Sequence, residues 1–134
     1  MRERLGIPQK RYALAIDTRK CIDCRACVVA CKAENDVPPE RHRNRVHAET
    51  RGEFPRLSAT FEPEQCHHCD SPSCVRVCPT GASYRREDGI VLVDADDCIG
   101  CGYCIIACPY DARFFNELTR VADKCTMCAH RVDA

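Results

Sequence analysis

Residues 91–108 read VLVDADDCIGCGYCIIAC, and residues 14–31 read LAIDTRKCIDCRACVVAC. The two stretches align without a gap at an offset of 77: Asp17 falls on Asp94, Ile22 on Ile99, Ala30 on Ala107, and all four cysteines coincide. Each copy holds the pattern C-x2-C-x2-C-x3-C. In the first copy it is Cys21, Cys24, Cys27 and Cys31; in the second it is Cys98, Cys101, Cys104 and Cys108, with Pro109 behind. Between the copies, Cys66, Cys69, Cys74 and Cys78 give C-x2-C-x4-C-x3-C, with Pro79 behind, and Cys125 and Cys128 open a fourth group that stops at two. These groups account for all 14 cysteines of the 134-residue chain.

The spacing states what the cysteines are for. A cubane offers four iron corners, each taking one thiolate, and Cys at i, i+3 and i+6 of one loop can supply three of them. Three such cysteines, and a fourth after three more residues, make the run of bacterial [4Fe–4S] sites, whose fourth Cys goes to the other cluster of a pair. A short helix would carry that Cys away from its own loop, and the proline behind it ends the helix by fixing φ and removing a donor. Two other chemistries use dense cysteine. Structural zinc takes two C-x2-C pairs into one tetrahedral site, which would leave the third Cys of each run without a role. A disulfide scaffold is also Cys-rich, but Cys at i and i+3 on a tight loop is poor disulfide geometry, and no secretory signal is read ahead of the first group. All 14 cysteines are therefore candidate cluster ligands, and the chemistry this implies is electron transfer.

Composition supports a metal-stapled chain. Four Phe, four Tyr and no Trp leave a thin apolar core, so folding is expected to be coupled to cluster insertion. The formal net charge is zero, yet residues 1–60 carry 13 Lys/Arg against 8 Asp/Glu, while residues 61–134 carry 7 against 12. Four thiolates around an oxidised cubane leave a site at about −2. Arg25, Lys32, Arg76 and Lys124 stand beside ligands in sequence and are candidates to offset that charge. The basic residues form no block and no aromatics interleave with them, so nucleic acid is not an expected partner. No apolar run approaches the ~18 residues of a membrane span. Neither a Ser/His/Asp constellation, a P-loop nor a dinucleotide fingerprint is present; no catalytic residue is expected.

The expected fold class is α+β, built of tandem, pseudo-symmetric ferredoxin-type modules of short strands, Cys loops, short helices and hairpins. Tyr12–Ile16 and Ile90–Val93 read as strands ahead of the two matching Cys loops, with short helices near Val28–Ala33 and Ile105–Ala107. Ala82–Tyr84, a turn at Asp88-Gly89, and Ile90–Val93 read as a hairpin, and Arg113–Phe115 with Val121-Ala122 as its counterpart. Residues 36–63, with Pro38, Pro39, Pro55 and many Arg, read as a partly extended linker or excursion holding one strand around Leu57–Phe61. Residues 1–134 are read as a single polyferredoxin-like domain: 10–35 with 110–134 form an outer, incomplete half, and 64–110 an inner half. His67 and His68, between two ligands, read as hydrogen-bonding or solvent-facing. Phe54, Phe61, Phe114 and Phe115 read as core or cluster shielding.

Taken together, YALAIDTRKCIDCRACVVACKAEN with its nearby Pro-Pro, CHHCDSPSCVRVCPTGA, GIVLVDADDCIGCGYCIIACPY and KCTMCAHR resemble the four-cluster iron–sulfur subunit of membrane-linked molybdopterin oxidoreductases. Polysulfide, thiosulfate, tetrathionate and dimethyl sulfoxide reductases and the formate-dependent nitrite reductase system contain such subunits. The resemblance covers nearly the whole chain and keeps the order of the four motifs. It implies a relay of up to four [4Fe–4S] clusters between a molybdopterin catalytic subunit and an integral-membrane, quinone-handling anchor. The subunit itself would carry no active site, lie at the membrane through its partners, and make no span of its own. By the family's crossed rule, Cys66, Cys69 and Cys74 would share a cluster with Cys108, and Cys98, Cys101 and Cys104 one with Cys78. The trio Cys21, Cys24 and Cys27 would need a last Cys from the fourth motif; Cys125 and Cys128 would join Cys31 and that motif's third Cys. Four clusters at four ligands ask for sixteen thiolates, so a chain with 14 reads as C-terminally incomplete, with two clusters fully ligated. A shorter protein holding two clusters is the other reading of that count, with His67, His68 or His130 as further ligands if more are bound. A free-standing polyferredoxin or redox-responsive protein with a soluble partner is the alternative function.

Overall fold

The computed structural model describes residues 10–134; the part of the export-signal reading that rests on residues 1–9 lies outside it. Three antiparallel hairpins, each a separate two-stranded sheet, alternate with Cys loops and short helices. In chain order these are α1 (Ala26–Asn35), β1 (Asn44–Glu53), β2 (Arg56–Gln65), α2 (Ser73–Arg76), β3 (Ser83–Arg85), β4 (Val91–Val93), α3 (Tyr103–Ile106), β5 (Arg113–Asn116), β6 (Val121–Lys124) and α4 (Ala129–Val132).

The two small hairpins follow the sequence pattern. Ser83 pairs with Val93 and Arg85 with Val91. The turn between them closes through Arg86 N–H to Ile90 O at 2.8 Å, and Asp88 Oδ1 accepts from Ile90 N–H at 3.1 Å. Gly89 sits at φ +88°, the left-handed region that glycine enters without steric cost. In the second hairpin Arg113 pairs with Lys124 and Asn116 with Val121. Asn116 Oδ1 caps its turn by accepting from Leu118 and Thr119 N–H at 3.0 and 3.3 Å, the local bond that makes Asn a turn residue. Ala82, Ile90, Val91, Phe114 and Ala122 are buried and make a small core that the two hairpins share.

Two expectations are corrected. Tyr12–Ile16 is not a strand: Tyr12 N–H reaches Asp88 O at 3.3 Å, and no ladder follows. A strand exists only through a paired neighbour, which apolar alternation alone cannot supply. Residues 36–63 are not mainly a linker. After α1 closes with Asp36 in the left-handed region, β1 and β2 pair over ten residues each, joined at Phe54-Pro55, whose peptide bond is cis. The register explains the ribbon: Val46, Ala48 and Thr50 share a face with Leu57, Ala59, Phe61 and Pro63, while charged residues fill the other face. Pro63 is tolerated because each strand of a two-stranded ribbon has a free edge. Phe54, at the tip, is 88% exposed and shields nothing, whereas Phe114 is buried as expected.

Candidate iron–sulfur centres

The first C-x2-C turn of each group places one residue in left-handed conformation two positions after its first Cys: Asp23, His68, Gly100 and Met127. A left-handed residue in a tight loop turns successive N–H groups inward, and such nests hold iron–sulfur sites and other anions. Met127 N–H lies 3.4 Å from Cys125 Sγ in this way. Gly102 and its repeat counterpart Arg25 are also left-handed, and they start α3 and α1. Gly100 has no substitute of equal ease, because a Cβ there would meet Arg120 O at 2.8 Å and a Phe115 ring carbon at 3.2 Å. The first Cys loop therefore uses Asp23 where the third needs glycine.

The helices carry later cysteines across. Cys74 lies within α2 and Cys104 within α3, and Cys78 and Cys108 follow the last turns, their N–H groups on Val75 O and Ile105 O. Ser73 Oγ at the start of α2 donates to Ala107 O beyond α3 at 2.8 Å, fixing the two short helices against each other. Two cavities result. One is walled by Cys66, Cys69, Cys74 and Cys108, with His67, Tyr110 and Arg113. The other is walled by Cys78, Cys98, Cys101 and Cys104, with Thr80 and Ile99. All 14 cysteines are free thiols. The thiols surround each space rather than meeting at a point. Among the described residues, no three Cys, His, Asp or Glu gather tightly enough to hold a single ion.

Local donors prepare individual thiols. Burial pushes Cys78 upward, but N–H and O–H donors from Ser83, Thr80 and Gly81 outweigh it and leave its pKa below the ordinary value; Ser83 N lies 3.4 Å from the sulfur. Cys74 and Cys125 are pushed up by burial. Cys31, also raised by burial, is raised further by Cys125 and Cys128 and lowered by Arg43. Asn35 Nδ2 donates to Cys31 O at 3.0 Å and lies 3.7 Å from its sulfur, while its Oδ1 accepts from Arg43 at 2.8 Å. Glu34, between Arg131 and His130, clamps α1 to α4. Cys21 and Cys24 lie ahead of α1 and Cys27 in its first turn, with Cys24 and Cys27 exposed.

The residues beside the ligands divide sharply. Arg25 pairs with Asp23 at the surface, Lys32 donates to the carbonyls of Pro38 and Pro39, and Arg76 is exposed. Lys124 alone of the four is buried. Arg113, read from the sequence only as the start of a strand, is buried and lines the Cys66–Cys108 cavity, and its Nη2 has no protein acceptor. An orphaned guanidinium donor at a wall of four thiols fits an anionic cluster in that space. His68 accepts from Val91 N–H at 2.9 Å through Nδ1, which puts its proton on Nε2. Burial, then Lys124 and Arg113, hold its pKa to about 4, so it is neutral at pH 7. His67 stacks on Tyr110 with ring centroids 4.0 Å apart, and both line the same cavity.

Paired Cys loops, α2 and α3 side by side, and a hairpin after each define a ferredoxin-type α+β iron–sulfur fold. A family model described as a 4Fe–4S dicluster domain matches residues 57–134, and a second of the same description matches residues 20–82. The chain therefore belongs to the 4Fe–4S dicluster family, and its cofactors are [4Fe–4S] clusters. It is 49% identical to a tetrathionate reductase subunit of Salmonella typhimurium, over 96% of this chain and 52% of that protein. It is 48% identical to the thiosulfate reductase electron transfer subunit of Salmonella typhi and 44% identical to a polysulfide reductase chain of Wolinella succinogenes. Each match covers 89% of this chain and 63% of the relative. The chain thus spans between half and two thirds of the length of these relatives. No helix among the described residues is long and apolar enough to cross a membrane.

Proposed function

We propose that this chain is the electron-transfer subunit of a molybdopterin oxidoreductase complex, passing electrons through its [4Fe–4S] clusters between a catalytic subunit and a membrane subunit that handles quinone. It works without substrate chemistry of its own and lies at the membrane through those partners. The observation that carries the reading is the crossed walling of the two cavities. Cys66, Cys69 and Cys74 are joined by Cys108, and Cys98, Cys101 and Cys104 by Cys78. Each cluster is then tied to its neighbour's motif, which places the two side by side as a relay requires. The approach of Cys31 to Cys125 and Cys128 supports the same rule for the outer half, 10–35 with 110–134. Cys21, Cys24 and Cys27 form the remaining trio. The names of the relatives, all of them parts of reductases, support a role inside a complex.

Anaerobic purification tests this on two counts. Iron and acid-labile sulfide should be present in equal amounts with EPR signals of reduced [4Fe–4S] clusters, and a pterin-containing catalytic subunit should co-purify from the native source. Clusters present with no pterin partner would favour a free-standing polyferredoxin.

A further inference from the structure

Lys124 is 1% and Arg113 3% exposed, and they sit side by side in register on β6 and β5. Arg113 gives Nη1 to Ser83 Oγ at 2.8 Å, while Lys124 gives its ammonium to Val91 O and to Cys125 O, the latter at 2.8 Å. All of these acceptors are neutral. Among the described residues, neither side chain forms an ion pair with a carboxylate, although twelve others of the chain's basic groups do. Two neighbouring cations buried without a counter-charge are unfavourable, because desolvation and mutual repulsion add. The groups near them that can become anionic are thiols. Lys124 holds the carbonyl of Cys125, a member of the outer set, at 2.8 Å, while its strand neighbour Arg113 lines the inner cavity beside Cys66, Cys69, Cys74 and Cys108.

We infer that Lys124 and Arg113 form a shared counter-charge between two adjacent clusters, the one held by Cys66, Cys69, Cys74 and Cys108 and the one that Cys31, Cys125 and Cys128 help to hold. The inference rests on the crossed ligand reading above. An electron added to either site increases a negative charge already at about −2. A fixed cation in a low-dielectric wall stabilises that extra charge far more than a solvated one can. The pair therefore sets the reduction potential of both sites upward and weakens the repulsion that reducing one imposes on the other. Sequence proximity to a ligand does not create this role: Arg25 pairs with Asp23, Lys32 bonds the Pro38 and Pro39 carbonyls, and Arg76 is exposed.

The test is an EPR-monitored redox titration of the anaerobically purified 134-residue protein and four variants, with iron content measured in parallel. Lys124→Met and Arg113→Gln remove the charge, whereas Lys124→Arg and Arg113→Lys keep it. Charge removal should lower the equilibrium constant for reduction of the cluster held by Cys66, Cys69, Cys74 and Cys108 at least tenfold, a shift of ~59 mV for one electron, with the same shift in the Cys31, Cys125 and Cys128 site where that site is loaded, and the charge-keeping variants should stay within threefold of the parent. If a charge-removing variant fails to hold its clusters while its charge-keeping partner loads fully, the counter-charge role is also supported. Equal behaviour of the two kinds of variant, whether as unchanged potentials or as equal loss of iron, would overturn it. Absence of [4Fe–4S] signals from the parent protein would sink the cluster reading as well, so the two failures are distinguishable.

Discussion

Substituting alanine at Gly100 and at Gly102 separates two costs that the third Cys loop imposes on its backbone. Both residues are left-handed, at φ +68° and +78°, and an L side chain there costs roughly 1–2 kcal/mol. At Gly102 nothing lies within 4 Å of the added Cβ, so that is the whole penalty. At Gly100 the methyl would stand 2.8 Å from Arg120 O and 3.2 Å from the Phe115 ring. The β5–β6 turn must then move, and overpacking of this kind adds about 1–3 kcal/mol. At roughly 4 °C per kcal/mol for a chain of this size, the thermal midpoint of Gly100→Ala should lie about 4–12 °C below that of Gly102→Ala. The assay is thermal unfolding of the anaerobic holoproteins at one scan rate. Gly100→Ala should also lose iron from the site of Cys98, Cys101 and Cys104, because the turn that aims those sulfurs is displaced. Arg25 holds the equivalent place to Gly102 at φ +56°, so Gly102→Asn should be milder still. Indistinguishable midpoints for the two alanine variants would refute the contact argument, leaving backbone conformation as the only cost.

Three further outcomes follow from the site. Cys101→Ala should lose about four irons per chain, one cubane's worth, and become more sensitive to protease, since a thin core loses a metal staple; full iron with full resistance would exclude Cys101 as a ligand. Cys78→Ser should change the Mössbauer and EPR signature in the manner of Cys101→Ser; matching Cys69→Ser instead would mean that each motif ligates its own cluster. Glu34 is held at about 2 by its hydrogen bonds to Arg131 and then His130, below the ordinary 4.5. A depressed carboxyl contributes stability that is present above about pH 4.5 and is lost as pH falls towards 2. Glu34→Gln should therefore melt earlier than the parent at pH 7, and the gap should close in acid. A gap that stays constant down to pH 3.5 would assign the effect to packing between α1 and α4.

The ferredoxin-type fold and the cluster chemistry were legible from the residues alone because ligand spacing is a local property. Cys at i, i+3 and i+6 is brought round one face by a single loop, and the 18-residue repeat at an offset of 77 reveals two such loops with matching turns at Asp23 and Gly100. The hairpin at Asp88-Gly89 was legible for the same reason, since its turn chemistry lies within a few residues of the strands it joins. Pairing is not local. Tyr12–Ile16 alternates as a strand should, but the fold offers it one carbonyl and no ladder. Residues 44–65 hide their alternation behind Arg, Glu and Pro until the register places Val46 across from Pro63 and Ala48 across from Phe61. Charge placement is less local still. Of the four basic residues singled out beside candidate ligands in sequence, tertiary packing turned only Lys124 inward and set beside it Arg113, which no motif had marked. A side chain's neighbours along the polypeptide are fixed by covalent order, whereas its dielectric surroundings depend on which distant segments fold over it. The sequence by itself therefore marked the candidate iron ligands and their spacing, and the tertiary structure decided which buried charges stand beside them.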